Sequence, residues 1–585
     1  MPKIIPAQIH LNQNNMVQSV LFKDIYHSNA GAENQAQNVF LKGNFLPERW
    51  QNKKQFSILE LGWGFGVNFL VTLKNWMKDK NACQHLNYIA FEKYPLTLND
   101  FQQFHPFKYS LYFAPFLKHL AKQYPPFSAG YHFVYFKNKN SKKCTLTIIL
   151  GDVKDTLPAF SAQIDAIYLD GFQALQNETM WSEKTLWHLH RLSSYGTTLA
   201  SWSVAKKVRE NLENAEFSLK KEAGIGNKRH RLTGFFKSKR VFYPFFRLPN
   251  RAFKTAIVAG AGLAAACCAH FLAKQNFNVQ VLAPFGIADG ASGNWSGLAH
   301  PLPSIDDNHL SQLSRQGYYF LEYFLQKYPH LHQKCGILHL SSSEKQAQTM
   351  QKIVENGVFD QRHLYFLPSD SHHLNGIENQ YGALFYPNGI CVQPFLLCQN
   401  LMQHPHIHIV PECFNPTIHQ ADVVILAMGK KMIDFLPLIL SRGQVHFVEN
   451  AKIPLKSAII SRNGYIVPQM DGKTTFGASF VLNESNTCYS ATEEKQIFNN
   501  LKQHFPHLEP LPNQARASVR VFSPKRLPIV GKMPHHKNTF CLTALGARGL
   551  IFAPLLANFL IQEIVGEFST MPSWAKKALS PEHFF

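Results

Sequence analysis

The sequence predicts an α/β protein with two separate Rossmann-like domains. Two stretches, 56–73 and 255–274, each combine an apolar strand, a glycine-rich turn and a helix, the pattern that begins a nucleotide-binding βαβ unit. The 585 residues also exceed the size at which a single hydrophobic core stops growing. The irregular, proline-containing segment 240–254 separates the two patterns. We therefore place a boundary near residue 248, which gives domains 1–247 and 248–585.

The first pattern contains three glycines at alternate positions, where a strand at 56–61 gives way to a helix. Glycine has no side chain, so the backbone there can approach a ligand at the carboxyl edge of the sheet. The next strand, 88–92, ends in Glu92, whose carboxylate suits the two hydroxyls of a ribose. This arrangement predicts a nucleotide site that includes Gly62, Gly64 and Gly66.

Two further strands of the first domain also lead into acidic residues. A strand at 146–150 leads into Asp152, and a strand at 165–170 ends in Asp170. The carboxyl ends of parallel strands lie on one edge of a sheet, so we expect these acids beside the glycine turn. Four strands in this order are typical of a class I methyltransferase.

The second pattern carries a GxGxxA turn, the spacing that places a pyrophosphate on a helix N-terminus. The carboxylate expected for a ribose is missing, because the strand at 278–282 runs into alanine and proline. An apolar strand at 421–427 leads to a glycine, as in flavoproteins that contact FAD at a second strand. The turn and the second strand predict an FAD site that includes Gly260, Gly262, Ala265 and Gly429.

An excess of basic residues indicates a polyanionic partner. The chain has 59 Lys and Arg against 38 Asp and Glu, a net charge of +21. Between 206 and 254, 14 basic residues accompany only 4 acidic ones, with aromatic residues interleaved, which suits RNA with an extruded base. A generally basic proteome would also explain the charge, and the aromatics could instead form a seam between the domains. Our candidates for phosphate contacts are Lys228, Arg229 and Arg231.

The composition argues against several other classes of protein. Ten cysteines are scattered without CxxC or Cys/His ligand spacing, so we expect neither a disulfide framework nor a metal site. The first 15 residues lack the apolar core of a secretory signal. The apolar run 256–273 contains Gly260, Gly262 and His270 and fits a strand and helix better than a membrane span. We expect a cytoplasmic monomer without membrane contact.

Whole stretches of both halves match one protein family, in the same order along the chain. They include 39–44, 66–70, 91–97, 226–229, 290–294, 443–445 and 546–550. On these matches the chain resembles the MnmC family, bifunctional proteins of 5-methylaminomethyl-2-thiouridine biosynthesis in tRNA. The resemblance implies an N-terminal class I Rossmann-like methyltransferase. It also implies a C-terminal FAD-binding Rossmann domain with an inserted mixed-sheet substrate domain, as in glycine and D-amino-acid oxidases.

The resemblance implies a two-step reaction on a modified uridine of tRNA. The FAD half would oxidise the C–N bond of 5-carboxymethylaminomethyl-uridine, so that hydrolysis frees the aminomethyl-uridine. The first half would then methylate that amine with S-adenosylmethionine. Glu92 and Asp152 would hold the ribose and adenine of the methyl donor, and Asp170 would face the acceptor amine. Because methyl transfer is an in-line displacement, Asp170 need only orient the amine or help to remove its proton.

The substrate of the FAD half presents a glycine-like carboxylate, which calls for a guanidinium clamp. Arg520 and Arg548 are our candidates, although either could pair with a structural carboxylate instead. Gly549 would let the backbone approach the flavin. The other residues matched to the flavin site are Ser292, Gly293, Asn294 and Gly546.

Three positions depart from the family pattern. Phe65 stands where the glycine loop carries a small residue, Gln176 replaces a lysine on the acceptor side, and Lys525 stands where an acid is frequent. These departures leave open a degenerate first domain that only docks tRNA for the oxidase. Two further hypotheses are a small-molecule amino-acid oxidase with an inactive methyltransferase and a non-catalytic tRNA-binding protein.

Overall fold

The chain divides into two structural units. The computed structural model describes residues 3–27, 31–137, 142–224, 229–239, 254–369, 380–449, 455–462, 464–502, 514–567 and 571–585. One unit comprises Met1–Phe245 and Glu567–Ser573, and the other comprises Phe246–Gly566 and Trp574–Phe585. The predicted boundary near residue 248 lies outside the described residues.

An eight-stranded sheet forms the centre of the first unit, in the order β5-β6-β4-β3-β7-β8-β10-β9. The strands β6, β4, β3, β7 and β8 run parallel to one another. Strand β5 pairs antiparallel with β6, and β10 pairs antiparallel with both β8 and β9. The central strand β3 is buried along almost its whole length, as expected for a parallel strand covered on both faces. The strands are β1 Ile9–Leu11, β2 Val17–Ser19, β3 Gln55–Leu61, β4 His85–Glu92, β5 Gly130–Lys137, β6 Lys143–Leu150, β7 Ile164–Leu169, β8 Ser193–Ser201, β9 Phe217–Ala223 and β10 His230–Phe236.

Eight α-helices accompany this sheet in the described part of the first unit. Thr97 and Ser182 cap α3 and α7 by accepting backbone N–H bonds, which satisfies donors that a helix start leaves free. The helices are α1 Ala32–Gln35, α2 Val67–Lys78, α3 Leu98–Phe104, α4 Ala114–Lys122, α5 Val153–Ala159, α6 Glu178–Trp181, α7 Glu183–Leu192 and α8 Lys206–Asn214.

The second unit begins with a six-stranded sheet in the order β19-β12-β11-β20-β28-β27. Its strands run parallel except for β27, so the carboxyl ends of β11 and β20 meet at one edge. The strands of this sheet are β11 Lys254–Ala259, β12 Phe277–Leu282, β19 Ile407–Val410, β20 Val423–Leu426, β27 Ile529–Lys532 and β28 Thr539–Thr543.

A nine-stranded mixed sheet and a three-stranded sheet complete the second unit. The long strands β21 and β26 pair antiparallel and place Arg520 opposite Ser441. The three-stranded sheet contains β13 Gly297–Ala299, β14 His332–Lys334 and β18 Ile390–Val392. The larger sheet contains β15 Ile337–Leu340, β16 Tyr365–Leu367, β17 Ala383–Tyr386, β21 Ile439–Glu449, β22 Ala458–Ser461, β23 Gly464–Met470, β24 Lys473–Gly477, β25 Val481–Leu482 and β26 Gln514–Phe522.

The apolar run 256–273 is divided between β11 and a buried helix, α9. Within the described ranges, one helical stretch, Gly546–Val565, is long and apolar enough to cross a bilayer. However, 67% of its most apolar segment is buried inside the protein. The remaining helices are α9 Leu263–Lys274, α10 His309–Leu325, α11 Glu344–Glu355, α12 Pro394–Met402, α13 Ala491–Lys502, α14 Gly549–Val565 and α15 Ser573–Leu579.

Candidate active sites

The first unit contains a cavity of about 570 Å³ at the carboxyl ends of β3, β4 and β7. Its volume lies within the range of about 300–1,000 Å³ that is usual for ligand pockets. Of the glycines and acids predicted for this site, only Gly66, the N-cap of α2, does not line the cavity. The predicted residues in the lining are Gly62, Gly64, Glu92, Asp152 and Asp170.

The glycine turn packs directly against the end of β7. Gly62 has a φ of 95°, and a Cβ atom there would lie 2.2 Å from the carbonyl oxygen of Asp170. Gly66 has a φ of 70°, and its Cβ would lie 2.4 Å from the Trp63 ring. Both positions therefore require glycine for conformation and for space. The turn and the Asp170 backbone form one rigid wall of the cavity.

Two carboxylates, Glu92 at the end of β4 and Asp152 just after β6, suit the ribose and base of a nucleoside. Glu92 accepts the N–H of Gly64 at 3.0 Å on one oxygen and that of Tyr94 at 2.8 Å on the other. Each carboxylate oxygen has a further lone pair for a hydroxyl donor. Burial raises the pKa of Glu92, and the backbone N–H bonds oppose that shift. Asp152 caps α5 and forms an ion pair with Lys93 at 2.8 Å.

Asp170 lies in a buried polar network at the cavity wall. Asn68 Nδ2 donates to Asp170 Oδ2 at 2.6 Å and to Glu60 Oε1 at 2.7 Å, and the Tyr88 hydroxyl donates to Glu60 Oε2 at 3.0 Å. Burial raises the pKa of Asp170 to about 7, although hydrogen bonds from Asn68 and Trp202 oppose the shift. A carboxylate with a pKa near neutrality can exchange a proton under working conditions.

Glu60 was not among the predicted site residues, although the strand that carries it is otherwise apolar apart from Ser57 and Gln55. The structure buries its side chain almost completely, and burial raises the pKa of Glu60 well above its usual range, with the nearby Asp170 charge acting in the same direction. An acid within an otherwise apolar strand could have identified Glu60 from the sequence, because a buried carboxyl group requires hydrogen-bond partners.

The departures at Phe65 and Gln176 lie away from the cavity. The Phe65 ring is buried and packs edge to face against Tyr26 at 5.2 Å and His105 at 5.8 Å between ring centres. Phe65 and the exposed Gln176 are both absent from the cavity lining. Neither side chain therefore occupies the cavity itself, and Phe65 contacts the lining residue Tyr26.

The three residues proposed for phosphate contacts differ in their surroundings. Arg229 is exposed. Arg231 also lines the cavity, but it is ion-paired with Glu222 at 2.8 Å and donates to the carbonyl of Asn38. Lys228 lies outside the described residues. Arg229 is thus better placed than Arg231 for a phosphate.

In the second unit, the glycine turn after β11 contacts the end of β20. Gly260 has a φ of 107°, and a Cβ there would lie 2.4 Å from the carbonyl oxygen of Ala427. Gly262 is the N-cap of α9, and the Leu263 N–H donates to Ser292 Oγ at 2.9 Å. Backbone N–H groups at this helix start fit a pyrophosphate. The GxGxxA turn, Ser292 and the strand before Gly429 are thus brought together.

The other predicted flavin residues fall into two groups. Ala265 is fully buried in α9, and Gly429 has a φ of 57°, a left-handed conformation that favours glycine. Gly293 and Asn294 belong to a loop held by Arg516, which donates to Asn294 Oδ1 at 3.1 Å and to the carbonyl of Gly290 at 2.7 Å. Arg516 thus orders this loop, a role that was not predicted from the sequence.

The two predicted clamp arginines lie near each other in the second unit. Burial lowers the pKa of Arg548 to about 10, and the positive charge of Arg520 acts in the same direction. Arg548 Nη1 donates to His300 Nε2 at 2.9 Å, while His300 Nδ1 donates to the carbonyl of Pro301 at 2.8 Å. Arg520 Nη2 donates to the carbonyl of Ser479 at 3.3 Å. His300 was not predicted, and it fixes one end of the Arg548 guanidinium.

Within the described ranges, neither Arg520 nor Arg548 forms an ion pair with a carboxylate. Two adjacent, partly buried cations repel each other, and an anionic ligand bound between them would offset that repulsion. Gly546 and Gly549 flank Arg548. Gly546 has a φ of 56°, and its Cβ would lie 2.2 Å from the Phe522 ring, so the Arg548 turn packs closely against β26.

Comparisons with known proteins identify the families of the two domains. Residues 112–237 match the family model of S-adenosyl-L-methionine-dependent methyltransferases, and residues 255–563 match that of FAD dependent oxidoreductases. The tRNA 5-methylaminomethyl-2-thiouridine biosynthesis bifunctional protein MnmC of Azoarcus sp. (strain BH72) is 31% identical over 630 residues, which cover 99% of this chain and 98% of that protein. The chain belongs to the MnmC family.

The MnmC protein of Aromatoleum aromaticum is also 31% identical, with 99% of this chain and 98% of that protein covered. The crystal structure of glycine oxidase from Geobacillus kaustophilus covers 55% of this chain and 96% of its own, with a TM-score of 0.50 and 16% identity, which shows a shared fold. Membership of the MnmC family confirms the predicted pairing of a methyltransferase with an FAD-dependent oxidoreductase. The two cofactors of this MnmC chain are S-adenosylmethionine and FAD.

Proposed function

We propose that the chain converts 5-carboxymethylaminomethyl-uridine, with or without the 2-thio group, to 5-methylaminomethyl-uridine at the wobble position of tRNA. The observation that carries this proposal is the opposite charge of its two sites: partly buried guanidinium groups in the second unit and a partly buried carboxylate in the first. The substrate of the first step carries a carboxylate, and its product carries an amine. The guanidinium groups of the second unit therefore suit the carboxylate of the starting nucleoside, and the carboxylate of the first unit suits the amine of the product of the first step.

In the oxidative step, Arg520 and Arg548 bind the carboxylate of the carboxymethyl group and so place the adjacent C–N bond. His300 limits the rotation of Arg548 through its 2.9 Å hydrogen bond. The GxGxxA turn and Ser292 hold FAD through its pyrophosphate. FAD, when bound, would supply the two-electron oxidant for the bond between the nitrogen and the methylene carbon of the carboxymethyl group, which loses a hydride while the nitrogen loses its proton. Hydrolysis of the resulting C=N bond would release glyoxylate and leave the aminomethyl group on the uridine.

In the methylation step, Asp170 holds the aminomethyl group and takes the proton that its ammonium form carries. An alkylammonium group resembles that of lysine, with a pKa of about 10, so its proton must leave before nitrogen can act as a nucleophile. Glu92 and Asp152 hold the ribose and adenine of S-adenosylmethionine, which supplies the methyl group. Positioning of the two reactants accounts for most of the acceleration in such a displacement.

We further infer that the enzyme works in the cytoplasm as a monomer, with Lys228, Arg229 and Arg231 near the tRNA phosphates. The departures at Phe65 and Gln176 give no support to a degenerate methyltransferase, because both lie outside the cavity lining.

Mass analysis of nucleosides from tRNA treated with the purified protein tests the proposal. With both cofactors, the carboxymethylaminomethyl nucleoside should be replaced by the methylaminomethyl nucleoside. Without S-adenosylmethionine, the aminomethyl nucleoside should accumulate, and protein freed of FAD should leave the first nucleoside unchanged. An unchanged nucleoside profile with both cofactors bound would refute the proposed function.

A further inference from the structure

An exposed apolar patch lies beside the arginine pair of the second unit. Phe480 is 52% exposed, and the next two residues, Val481 and Leu482, are 38% and 48% exposed. The guanidinium of Arg520 lies 5.8 Å from the centre of the Phe480 ring. Contiguous exposed apolar residues often mark a contact site. This patch therefore adjoins the group that we assign to the substrate carboxylate.

The backbone that carries Phe480 is held in place on both sides. Ser479 Oγ accepts the Gln444 N–H at 2.8 Å, and the Ser479 carbonyl accepts the bond from Arg520. Val481 and Leu482 form β25, which pairs with β21. An aromatic ring on an ordered backbone loses little freedom when it binds a partner. The ring is thus presented to solvent in a fixed place.

A second ring and a basic turn extend the patch. Phe522 contacts Phe480 edge to face, with 6.1 Å between the ring centres, and the Arg526 guanidinium lies 4.8 Å from the Phe522 ring. Lys525 and Arg526 are both exposed in the turn that follows β26. Aromatic rings beside exposed cations suit RNA, because bases stack on rings and phosphates bind cations. The basic residue at 525, a departure from the family pattern, adds to this positive charge.

We propose that Phe480 is the base-stacking element of the oxidase site and that Lys525 and Arg526 contact the adjoining phosphates of the tRNA. The inference rests on the proposed function and deepens it. A free amino acid could satisfy Arg520 and Arg548 without contacting Phe480. The stacked base would therefore let the site select a nucleotide within RNA over a small amino acid.

Steady-state oxidation of tRNA that carries the carboxymethylaminomethyl nucleoside tests the stacking role. Phe480→Ala should raise the KM for tRNA on the order of tenfold or more and change kcat less, because stacking on a ring contributes substantially to binding each base. Phe480→Trp should keep a KM near that of the unaltered enzyme. Tyr489→Ala is the matched control, since Tyr489 is a similarly exposed aromatic of the same unit. FAD content should be equal in all variants.

Fluorescence gives a second readout that does not depend on turnover. The indole added by Phe480→Trp should be quenched by tRNA beyond the quenching of the eight native tryptophans, whereas a purely structural ring would show no added quenching. If the unaltered enzyme oxidises tRNA but Phe480→Ala has the same KM, or if Phe480→Ala only changes the oligomeric state in sedimentation, the stacking role is refuted and the proposed function stands. Failure of the unaltered enzyme to oxidise tRNA refutes the proposed function, and the quenching measurement still decides the stacking role.

Discussion

The two sites of this chain use opposite charges in buried surroundings. The cavity of the first unit has Asp170 and Glu60 joined through Asn68, whereas the second unit has Arg520 and Arg548 close together without a carboxylate partner in the described ranges. Burial moves both kinds of group toward their neutral forms, since it raises the pKa of Asp170 to about 7 and lowers that of Arg548 to about 10. The acid thereby becomes able to exchange protons, but the guanidinium remains charged at neutral pH. One site is suited to move a proton, and the other to hold an anion.

The largest expected effect is a loss of the oxidation reaction without any change in the methylation reaction. Arg548→Met should slow oxidation of the carboxymethylaminomethyl nucleoside by on the order of 100-fold, because it removes a partly buried cation from the bound carboxylate. Methylation of tRNA that already carries the aminomethyl nucleoside should stay unchanged. Nucleoside mass analysis measures both rates. Arg362→Met is a suitable control, since Arg362 is a half-exposed arginine paired with Asp360 in the same unit. Equal loss of both activities would show that Arg548 is structural.

The next effect concerns the acid of the first site. Asp170→Asn should lower the methylation rate on the order of 100-fold, since general acid–base groups contribute about 10²–10⁴-fold. The affinity for S-adenosylmethionine, measured by calorimetry, should remain. Glu92→Ala should show the reverse pattern, with weaker binding of the donor and a smaller loss of turnover, because a ribose contact is present before and during the reaction. If Asp170→Asn abolished donor binding as well, Asp170 would belong to the donor site.

The pH dependence of the two reactions should also differ. Asp170 must be ionised to take the proton, and its pKa is raised to about 7, so the methylation rate should rise with pH up to about 7 and then level off. Below that pH the carboxyl is protonated and the rate falls. Single-turnover methylation across neutral pH would measure this, with Asp170→Asn as the control that loses the rise. A flat profile for the unaltered enzyme would assign proton removal to another group.

The smallest expected effect is that of Glu60→Gln. Burial raises the pKa of Glu60 well above its usual range, which favours the uncharged form of the side chain, and glutamine imitates that form. Methylation should stay within about tenfold of the unaltered rate, since a neutral hydrogen bond contributes about 0.5–1.5 kcal/mol and about 1.4 kcal/mol corresponds to a factor of ten. Asn68→Ala should cost more, because it removes the bond that orients Asp170. A large loss in Glu60→Gln would show that Glu60 carries a charge in the working enzyme.

Local patterns predicted the parts of each site that lie within one strand and its turn. The alternate glycines after β3 and the GxGxxA turn after β11 both appear where the sequence indicated, at the carboxyl edges of parallel strands. The predicted strand 56–61 differs from β3 by one residue at its start. Such patterns are readable because a strand and the following helix form from adjacent residues.

The hydrogen bonds between distant residues could not be predicted in the same way. Asn68 reaches Asp170 across 102 positions of the chain, and Arg548 reaches His300 across 248. Nothing in the residues next to Asn68 or His300 specifies those partners, since the pairing depends on which strands the whole fold brings together. Asp170 and Arg548 were therefore predictable from the sequence as site residues, and their hydrogen-bond partners Asn68 and His300 were not.

The contact between Gly62 and the Asp170 carbonyl has a genetic consequence. Because a side chain at position 62 would meet that carbonyl at 2.2 Å, a single codon change there would displace the turn or the main chain at residue 170. The carbonyl belongs to the main chain, so every residue type at position 170 would present it. Lineages that exchange Asp170 for another residue should therefore still keep Gly62 for as long as they keep this turn.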